Sequence, residues 1–166
     1  MIFIGLGTNL PLADQRSGPK VLQDALQALQ KKGVQVVAVS RFYKSEPVPI
    51  SDQDWYVNAV AQVHASLDPA GLLAILHEVE TGFGRVRSVR NAARTLDLDL
   101  LAYNDLYRPA GAAAPHVPHP RMDQRAFVLL PLRDVCPDWC HPVTGASLSE
   151  MIENLPAGQR LDPLAD

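Results

Sequence analysis

RTLDLDLLAY, residues 94–103, is the segment from which the fold of this chain is most directly predicted. Apolar and acidic residues alternate along it, and successive side chains of an extended strand point to opposite faces. The leucines at even positions would therefore face a core, whereas Asp97 and Asp99 would share the other face. The pattern predicts a β-strand with one acidic face.

The sequence before this strand switches between strand-like and helix-like periodicity. Met1–Leu6 predicts a strand that runs into a turn at Gly5, Gly7 and Thr8. Further strands are predicted over Val34–Tyr43 and Tyr56–Val63, with a loop over Lys44–Trp55 between them. One helix is predicted over 19–32. A second helix is predicted to begin at the Asp68 N-cap and Pro69 and to end at Gly82 and Gly84. The resulting order, β-α-β-β-α-β, predicts an α+β fold of ferredoxin-like topology, with helices packed on an antiparallel sheet.

The C-terminal third predicts a helical extension of this fold. The chain is rich in proline after Tyr103, and a helix is predicted near Arg125–Leu130. Ser147 and Glu150 have the spacing of a capping box, which predicts the start of a last helix. Because no linker or repeat divides the chain, we expect one domain over residues 1–166.

The composition argues against several classes of protein. The chain has 166 residues, of which 47% are hydrophobic and 20% charged, as is typical of a globular domain. A net charge of −3 argues against nucleic-acid binding, and no apolar run is long enough to span a membrane. Cys136 and Cys140 are too few for a disulfide framework, so we expect a cytoplasmic protein. Their spacing, even with His116 and His141 nearby, is atypical of zinc sites.

Asp97 and Asp99 allow two interpretations. They could be solvated residues on a half-exposed strand. However, aspartate disfavours strand interiors, and two carboxylates side by side repel each other. A hard divalent cation would remove that repulsion, and two carboxylates with substrate phosphates are a usual environment for Mg²⁺.

Four arginines lie directly before the acidic pair, at Arg85, Arg87, Arg90 and Arg94. One guanidinium group can donate two parallel hydrogen bonds to phosphate oxygens, and it stays charged at any working pH. The alternative is a solvated basic loop. Next to two candidate metal ligands, the cluster favours a polyphosphate-binding pocket.

The chain resembles the 6-hydroxymethyl-7,8-dihydropterin pyrophosphokinase family. The segments that carry the resemblance are GLGTNL, SRFYKSEP, YVNA, GRVR, RTLDLDLL and HPRMDQRAFVLLPL, which together cover nearly the whole chain. The resemblance implies an enzyme of folate biosynthesis that transfers pyrophosphate from ATP to the hydroxymethyl group of the dihydropterin, releasing AMP. It also implies two Mg²⁺ ions, ATP as co-substrate, and a monomer.

Site residues follow from the same resemblance, position by position. Asp97 and Asp99 match the magnesium ligands and, with Arg85 and Arg94, would be catalytic. Residues matched to ATP binding are Glu80, Arg85, Arg87, Arg94, Leu100, His119 and Arg125. Residues matched to the pterin are Asn9, Ser45, Pro47, Val48, Tyr56, Asn58 and Phe127, with the Tyr56 and Phe127 rings on opposite sides of it.

One departure from the family pattern keeps alternatives open. Asn91-Ala92-Ala93 stands where the family often has Trp-Gly-Pro. A paralogue that binds ATP and a pterin-like ligand without turnover, or with altered specificity, is therefore an alternative. The acidic pair at Asp97 and Asp99 leaves open a second alternative, another metal-dependent nucleotide reaction such as nucleotidyl or glycosyl transfer.

Overall fold

The computed structural model describes residues 1–9, 14–47, 49–85 and 95–165 of the chain. Its strands are β1 (Ile2–Thr8), β2 (Gln35–Val39), β3 (Tyr43–Ser45), β4 (Tyr56–His64), β5 (Asp97–Tyr103) and β6 (Leu161–Pro163). Its helices are α1 (Gly18–Lys31), α2 (Pro69–Gly82), α3 (Ala126–Val135) and α4 (Leu148–Glu153), with a short 3₁₀ turn at Met122–Gln124 before α3. None of the helices within these residues is long and apolar enough to cross a membrane.

The strands form one antiparallel sheet in the order β5-β1-β4-β3-β6, and β2 also pairs with β4. The sheet has a hydrophobic core on each face. The first core contains apolar residues of α1 and α2, including Leu22 and Leu76, and the second contains residues of α3 and α4, including Leu129 and Met151. The architecture is thus α+β, as the sequence predicted.

Strand β1 lies between β5 and β4 and serves both cores. Ile2, Ile4 and Leu6 belong to the first core, and Phe3 belongs to the second. Gly5 and Gly7 therefore lie on the face of α3. Because they carry no side chains, the second core has a gap at this end of the sheet.

A register shift between β1 and β5 alters the alternation along β5. Phe3 pairs with Ala102 whereas Ile4 pairs with Leu100, so Leu101 is an extra residue. Leu98 and Leu100 belong to the first core, whereas the consecutive residues Leu101 and Ala102 both belong to the second. A bulge of this kind sends neighbouring side chains to unexpected faces.

The predicted caps are present in the structure. The Asp68 side chain accepts a hydrogen bond from the Gly71 N–H at 2.7 Å at the start of α2. Ser147 and Glu150 form the predicted capping box of α4. Both signals are local in sequence, which explains why they could be identified there.

Other element boundaries differ from the prediction. Gly5 and Gly7 are part of β1 rather than of a turn, since their missing side chains leave the ladder intact. The predicted strand at 34–43 is two strands, because the Ser40 hydroxyl accepts a hydrogen bond from the Val60 N–H at 3.0 Å between β2 and β3. The described part of the strand predicted at 94–103 begins at Asp97, α3 extends to Val135, and β6 was not predicted.

Candidate active site

A cavity of about 410 Å³ opens on the face of the sheet that carries α3. The two glycines of β1 form its floor. Gly7 pairs with Asp97 on one side and with Asn58 on the other, while Gly5 pairs with Asp99. A Cβ atom at Gly7 would lie 3.1 Å from Asn58 Oδ1, so a larger residue there would crowd the floor.

Most of the described residues that were predicted for the site line this one cavity. They are Ser45, Pro47, Tyr56, Asn58, Glu80, Arg85, Asp97, Asp99, His119, Arg125 and Phe127. Acidic, basic and aromatic groups from four strands or helices and two loops therefore meet at one place.

Asp97 and Asp99 lie at the beginning of β5 and both line the cavity. Their side chains are 20% and 37% exposed, so both carboxylates can be reached from the cavity. The Thr8 hydroxyl donates a hydrogen bond of 2.7 Å to the Thr95 carbonyl just before this pair. The bond ties the start of β5 to the end of β1.

Glu80 links α2 to the acidic pair. Its side chain is 1% exposed, and Oε1 accepts a hydrogen bond of 2.7 Å from the Leu98 N–H. The same oxygen pairs with the Arg85 guanidinium, which also lies 2.6 Å from Asp97 Oδ1. Glu80 thus holds Arg85 beside the first aspartate.

Arg125 and His119 approach the pair from the side of α3. Arg125 Nη1 lies 3.7 Å from Asp99 Oδ2, and the guanidinium carbon lies 5.4 Å from the centre of the Phe127 ring. Burial, together with the positive charges of Arg125 and Arg121, lowers the pKa of His119 to about 4. His119 Nδ1 accepts from the Arg121 N–H at 3.2 Å, so the neutral ring carries its proton on Nε2.

The other end of the cavity is aromatic and amide-rich. Tyr56 and Phe127 both line it. Asn58 is buried, and its Nδ2 donates a hydrogen bond of 2.7 Å to Ser45 Oγ. Tyr56 pairs with Ser45 in the ladder, so β3 and β4 hold these groups in a common frame.

Five of the predicted site residues are not placed on the cavity wall by the structure. The Leu100 side chain is buried in the first core, on the opposite face of the sheet. Asn9 is buried, and its side-chain amide donates to Gln53 Oε1 at 3.1 Å and to the Asp54 carbonyl at 3.3 Å, which ties β1 to the loop before β4. Val48, Arg87 and Arg94 lie outside the described residues, as does Arg90.

The cavity also has lining residues that were not predicted from the sequence. They include Gly5, Gly7, Gln53, Leu73, His77 and Arg121. The two glycines could have been found, because they alternate along a strand and so share a face. Leu73 and His77 had no distinguishing signal, since they follow the ordinary spacing of a helix.

The donor set of the cavity fits magnesium better than zinc. Asp97 and Asp99 offer hard carboxylate oxygens, and Mg²⁺ in proteins is commonly held by one or two carboxylates together with substrate phosphates. Within the described residues, no group of three or more His, Cys, Asp or Glu side chains is arranged to hold a metal ion. Cys136 and Cys140 are both free thiols.

Comparisons with known proteins agree on one family. The sequence model of the 7,8-dihydro-6-hydroxymethylpterin-pyrophosphokinase family matches residues 3–137. The 2-amino-4-hydroxy-6-hydroxymethyldihydropteridine pyrophosphokinase of Pseudomonas aeruginosa is 38% identical over 155 residues, which cover 93% of this chain and 91% of that one. The enzyme of that name from Haemophilus influenzae is 39% identical over 142 residues, or 84% of each chain.

Longer relatives contain a similar segment. The folic acid synthesis protein fol1 of Pneumocystis carinii is 36% identical over 93% of this chain, which spans only 20% of that protein's length. A crystal structure of a Plasmodium falciparum HPPK-DHPS triple mutant superposes with a TM-score of 0.67 at 14% identity, over 92% of this chain and 43% of that one, which shows a shared fold. From the match over residues 3–137 and the two bacterial relatives, the chain belongs to the 7,8-dihydro-6-hydroxymethylpterin-pyrophosphokinase family.

Proposed function

We propose that this protein transfers the pyrophosphoryl group of ATP to the hydroxymethyl oxygen of 6-hydroxymethyl-7,8-dihydropterin in folate biosynthesis. One observation carries the proposal: the acidic pair at Asp97 and Asp99 and the aromatic pair at Tyr56 and Phe127 line the same cavity. The first pair suits a metal-bound polyphosphate and the second suits a flat heterocycle. A cavity with both groups can bring an alcohol on the heterocycle next to a phosphate.

In the proposed reaction, the hydroxymethyl oxygen forms a bond to the β-phosphorus of ATP. The bond between this phosphorus and the oxygen that bridges it to the α-phosphorus breaks, and AMP leaves with that oxygen. The hydroxyl proton passes to solvent. Phosphoryl transfer of this kind depends mainly on positioning and charge stabilisation rather than on a strong base.

The chain's own groups suit the polyphosphate end. Arg85 and Arg125 flank the acidic pair and can turn toward phosphate oxygens, where guanidinium groups bind in pairs. His119 stays neutral at neutral pH, so its Nε2–H can donate to a phosphate without adding charge. Arg87 and Arg94 join this set in the proposal on the strength of the resemblance.

At the other end, Tyr56 and Phe127 hold the pterin ring between them, and Asn58, Ser45 and Pro47 face its edge. Asn58 is bonded to Ser45, so its side-chain orientation is set before the ligand binds. Asn9 acts through the loop that it holds at Gln53 and Asp54.

Asp97 and Asp99 are the proposed ligands of two Mg²⁺ ions. When bound, magnesium would neutralise phosphate charge and orient the polyphosphate. Arg85 and Arg125 lie beside the two carboxylates in the structure.

We also propose a topology, an oligomeric state and a cellular location for the protein. If β2 and β3 are counted as one interrupted strand, the order of the first five strands agrees with a ferredoxin-like arrangement. Elements α3, α4 and β6 would then be an extension of it. We propose a single domain that works as a monomer. Free thiols at Cys136 and Cys140 suit a reducing cytoplasm.

The decisive experiment incubates the protein with ATP, Mg²⁺ and reduced 6-hydroxymethylpterin and separates the products. We expect equal amounts of AMP and pterin diphosphate. ADP with a pterin monophosphate would contradict the proposal. Binding of both ligands without AMP release would indicate the non-catalytic alternative.

A further inference from the structure

The side chain of Gln159 makes hydrogen bonds to the backbone on both sides of Arg125. Its Oε1 accepts from the Ala126 N–H at 2.9 Å, and its Nε2 donates to the Gln124 carbonyl at 2.9 Å. The same Nε2 lies 3.3 Å from the Pro156 carbonyl. One amide group therefore holds the peptide groups that precede and follow Arg125.

This contact supplies a cap that α3 otherwise lacks. Arg125 is the N-cap residue of α3, and its side chain makes no capping hydrogen bond. The first N–H groups of a helix have no partner within the helix. Gln159 satisfies the one at Ala126 from a distant part of the chain.

The segment that carries Gln159 is itself anchored on the sheet. Strand β6, which begins two positions after Gln159, pairs with β3, where Leu161 lies opposite Ser45. The Leu164 N–H donates to the Phe42 carbonyl at 2.8 Å, and the Glu46 N–H donates to the Arg160 carbonyl at 3.4 Å. The position of the start of α3 is therefore fixed relative to β3, the strand that carries Ser45.

We infer that Gln159 is a positioning residue, which sets Arg125 and Phe127 against the rest of the cavity by holding the backbone between Gln124 and Ala126. Arg125 and Phe127 both line the cavity and contact each other as cation and ring. Gln159 lies outside the residues matched by the family model, which end at 137. The kinetic part of the inference rests on the proposed function.

The test compares Gln159→Ala with Asp162→Ala in kinetics and in amide exchange. Asp162 lies in the same segment as Gln159, and its side chain is 54% exposed. Within the described residues its ion-pair partner is Arg160, at 3.3 Å. Asp162→Ala therefore controls for changes in the segment itself. For Gln159→Ala we expect kcat/KM for the pterin to fall by at least about tenfold, because small misplacements of binding groups are costly. For Asp162→Ala we expect a change of less than about twofold.

Hydrogen exchange of the Ala126 amide gives a readout that does not depend on the reaction. It should become at least about tenfold faster in Gln159→Ala, because the amide loses its acceptor. Gln159→Glu keeps an acceptor and places a negative charge at the helix N-terminus, so its exchange rate should stay nearer to that of the wild type.

The inference is overturned if Gln159→Ala keeps both kcat/KM and Ala126 exchange within about twofold of the wild type. It is also overturned if Asp162→Ala changes both as much as Gln159→Ala does. If the wild-type protein releases no AMP, the proposed function fails, and the inference is judged by Ala126 exchange and by pterin binding alone.

Discussion

The guanidinium of Arg85 lies 2.6 Å from the carboxylate of Asp97, so that one proposed phosphate ligand and one proposed magnesium ligand are in direct contact. Glu80 holds the same guanidinium from the other side. The pairing keeps two opposite charges in place within a partly buried site. In the proposed reaction, phosphate and magnesium would then bind to groups whose positions this pairing already sets.

Replacing either aspartate of the pair should abolish most turnover. For Asp97→Asn and Asp99→Asn we expect kcat to fall by at least about 10²-fold, because a principal electrostatic stabiliser of the polyphosphate is lost. AMP release at saturating substrates measures the effect. Asp105→Asn, at an exposed position just beyond β5, is the control and should behave as the wild type. Turnover close to normal in either pair variant would remove the proposed role.

Glu80 should contribute to stability as well as to the site. Removing one partner of a buried ion pair costs about 3–5 kcal/mol, and Glu80→Ala also leaves the Leu98 N–H without its acceptor. We therefore expect the free energy of unfolding in urea to fall by about 3 kcal/mol. Glu78 lies on the same helix as Glu80 and forms an exposed ion pair with Lys32. Glu78→Ala should therefore cost less than about 1 kcal/mol. Equal losses in the two variants would contradict the buried role.

Tyr56 should discriminate between the two substrates. For Tyr56→Ala we expect at least a tenfold weaker Kd for the pterin and a change of less than about threefold for ATP, because stacking of a ring on a base contributes about 1–3 kcal/mol. Separate titrations of each ligand measure the two constants. Tyr107→Ala is a matched control, since Tyr107 is 57% exposed. A larger loss for ATP than for the pterin would place Tyr56 at the wrong end of the cavity.

His119 should make the free protein less stable in mild acid. Its pKa is about 4 in the folded protein against an ordinary value of 6.5, so the unfolded chain binds more protons between these values. The free energy of unfolding should therefore fall as the pH drops from about 6.5 to 4. The part of this fall that is due to His119 should be smaller than about 3 kcal/mol, because the ring is partly exposed.

Urea unfolding at pH 7 and at pH 4.5 checks this prediction. His119→Gln should reduce the difference between the two pH values, whereas His64→Gln, at an exposed position, should leave it unchanged. An unchanged pH dependence in His119→Gln would show that other groups account for it.

The features that could be predicted from the sequence are those with a local cause. The alternation at 97–100, the Asp68 cap and the Ser147–Glu150 capping box each depend on residues a few positions apart. The resemblance to the pyrophosphokinase family was likewise readable, and the family match confirms it. The two acidic residues were selected because their chemistry conflicts with an ordinary strand.

The features that could not be predicted depend on partners far away in the chain. The break at Ser40 has no glycine or proline to mark it, and its cause is a hydrogen bond to Val60. Strand β6 exists because β3 offers a free edge, and its own sequence has little strand character. The bulge at Leu101 arises from pairing with β1, so the burial of both Leu101 and Ala102 in the second core could not be foreseen.

From its amino-acid sequence alone, this chain is assigned to the α+β class and to its enzyme family, and its two candidate metal ligands are identified, because periodicity and motif spacing are properties of neighbouring residues. The pairing of Arg85 with Glu80 and Asp97 and the hydrogen bonds of Gln159 to the start of α3 are visible only in the folded chain. Each joins residues whose distance is set by sheet pairing and helix packing, and side-chain charges and hydrogen bonds act only over such short distances.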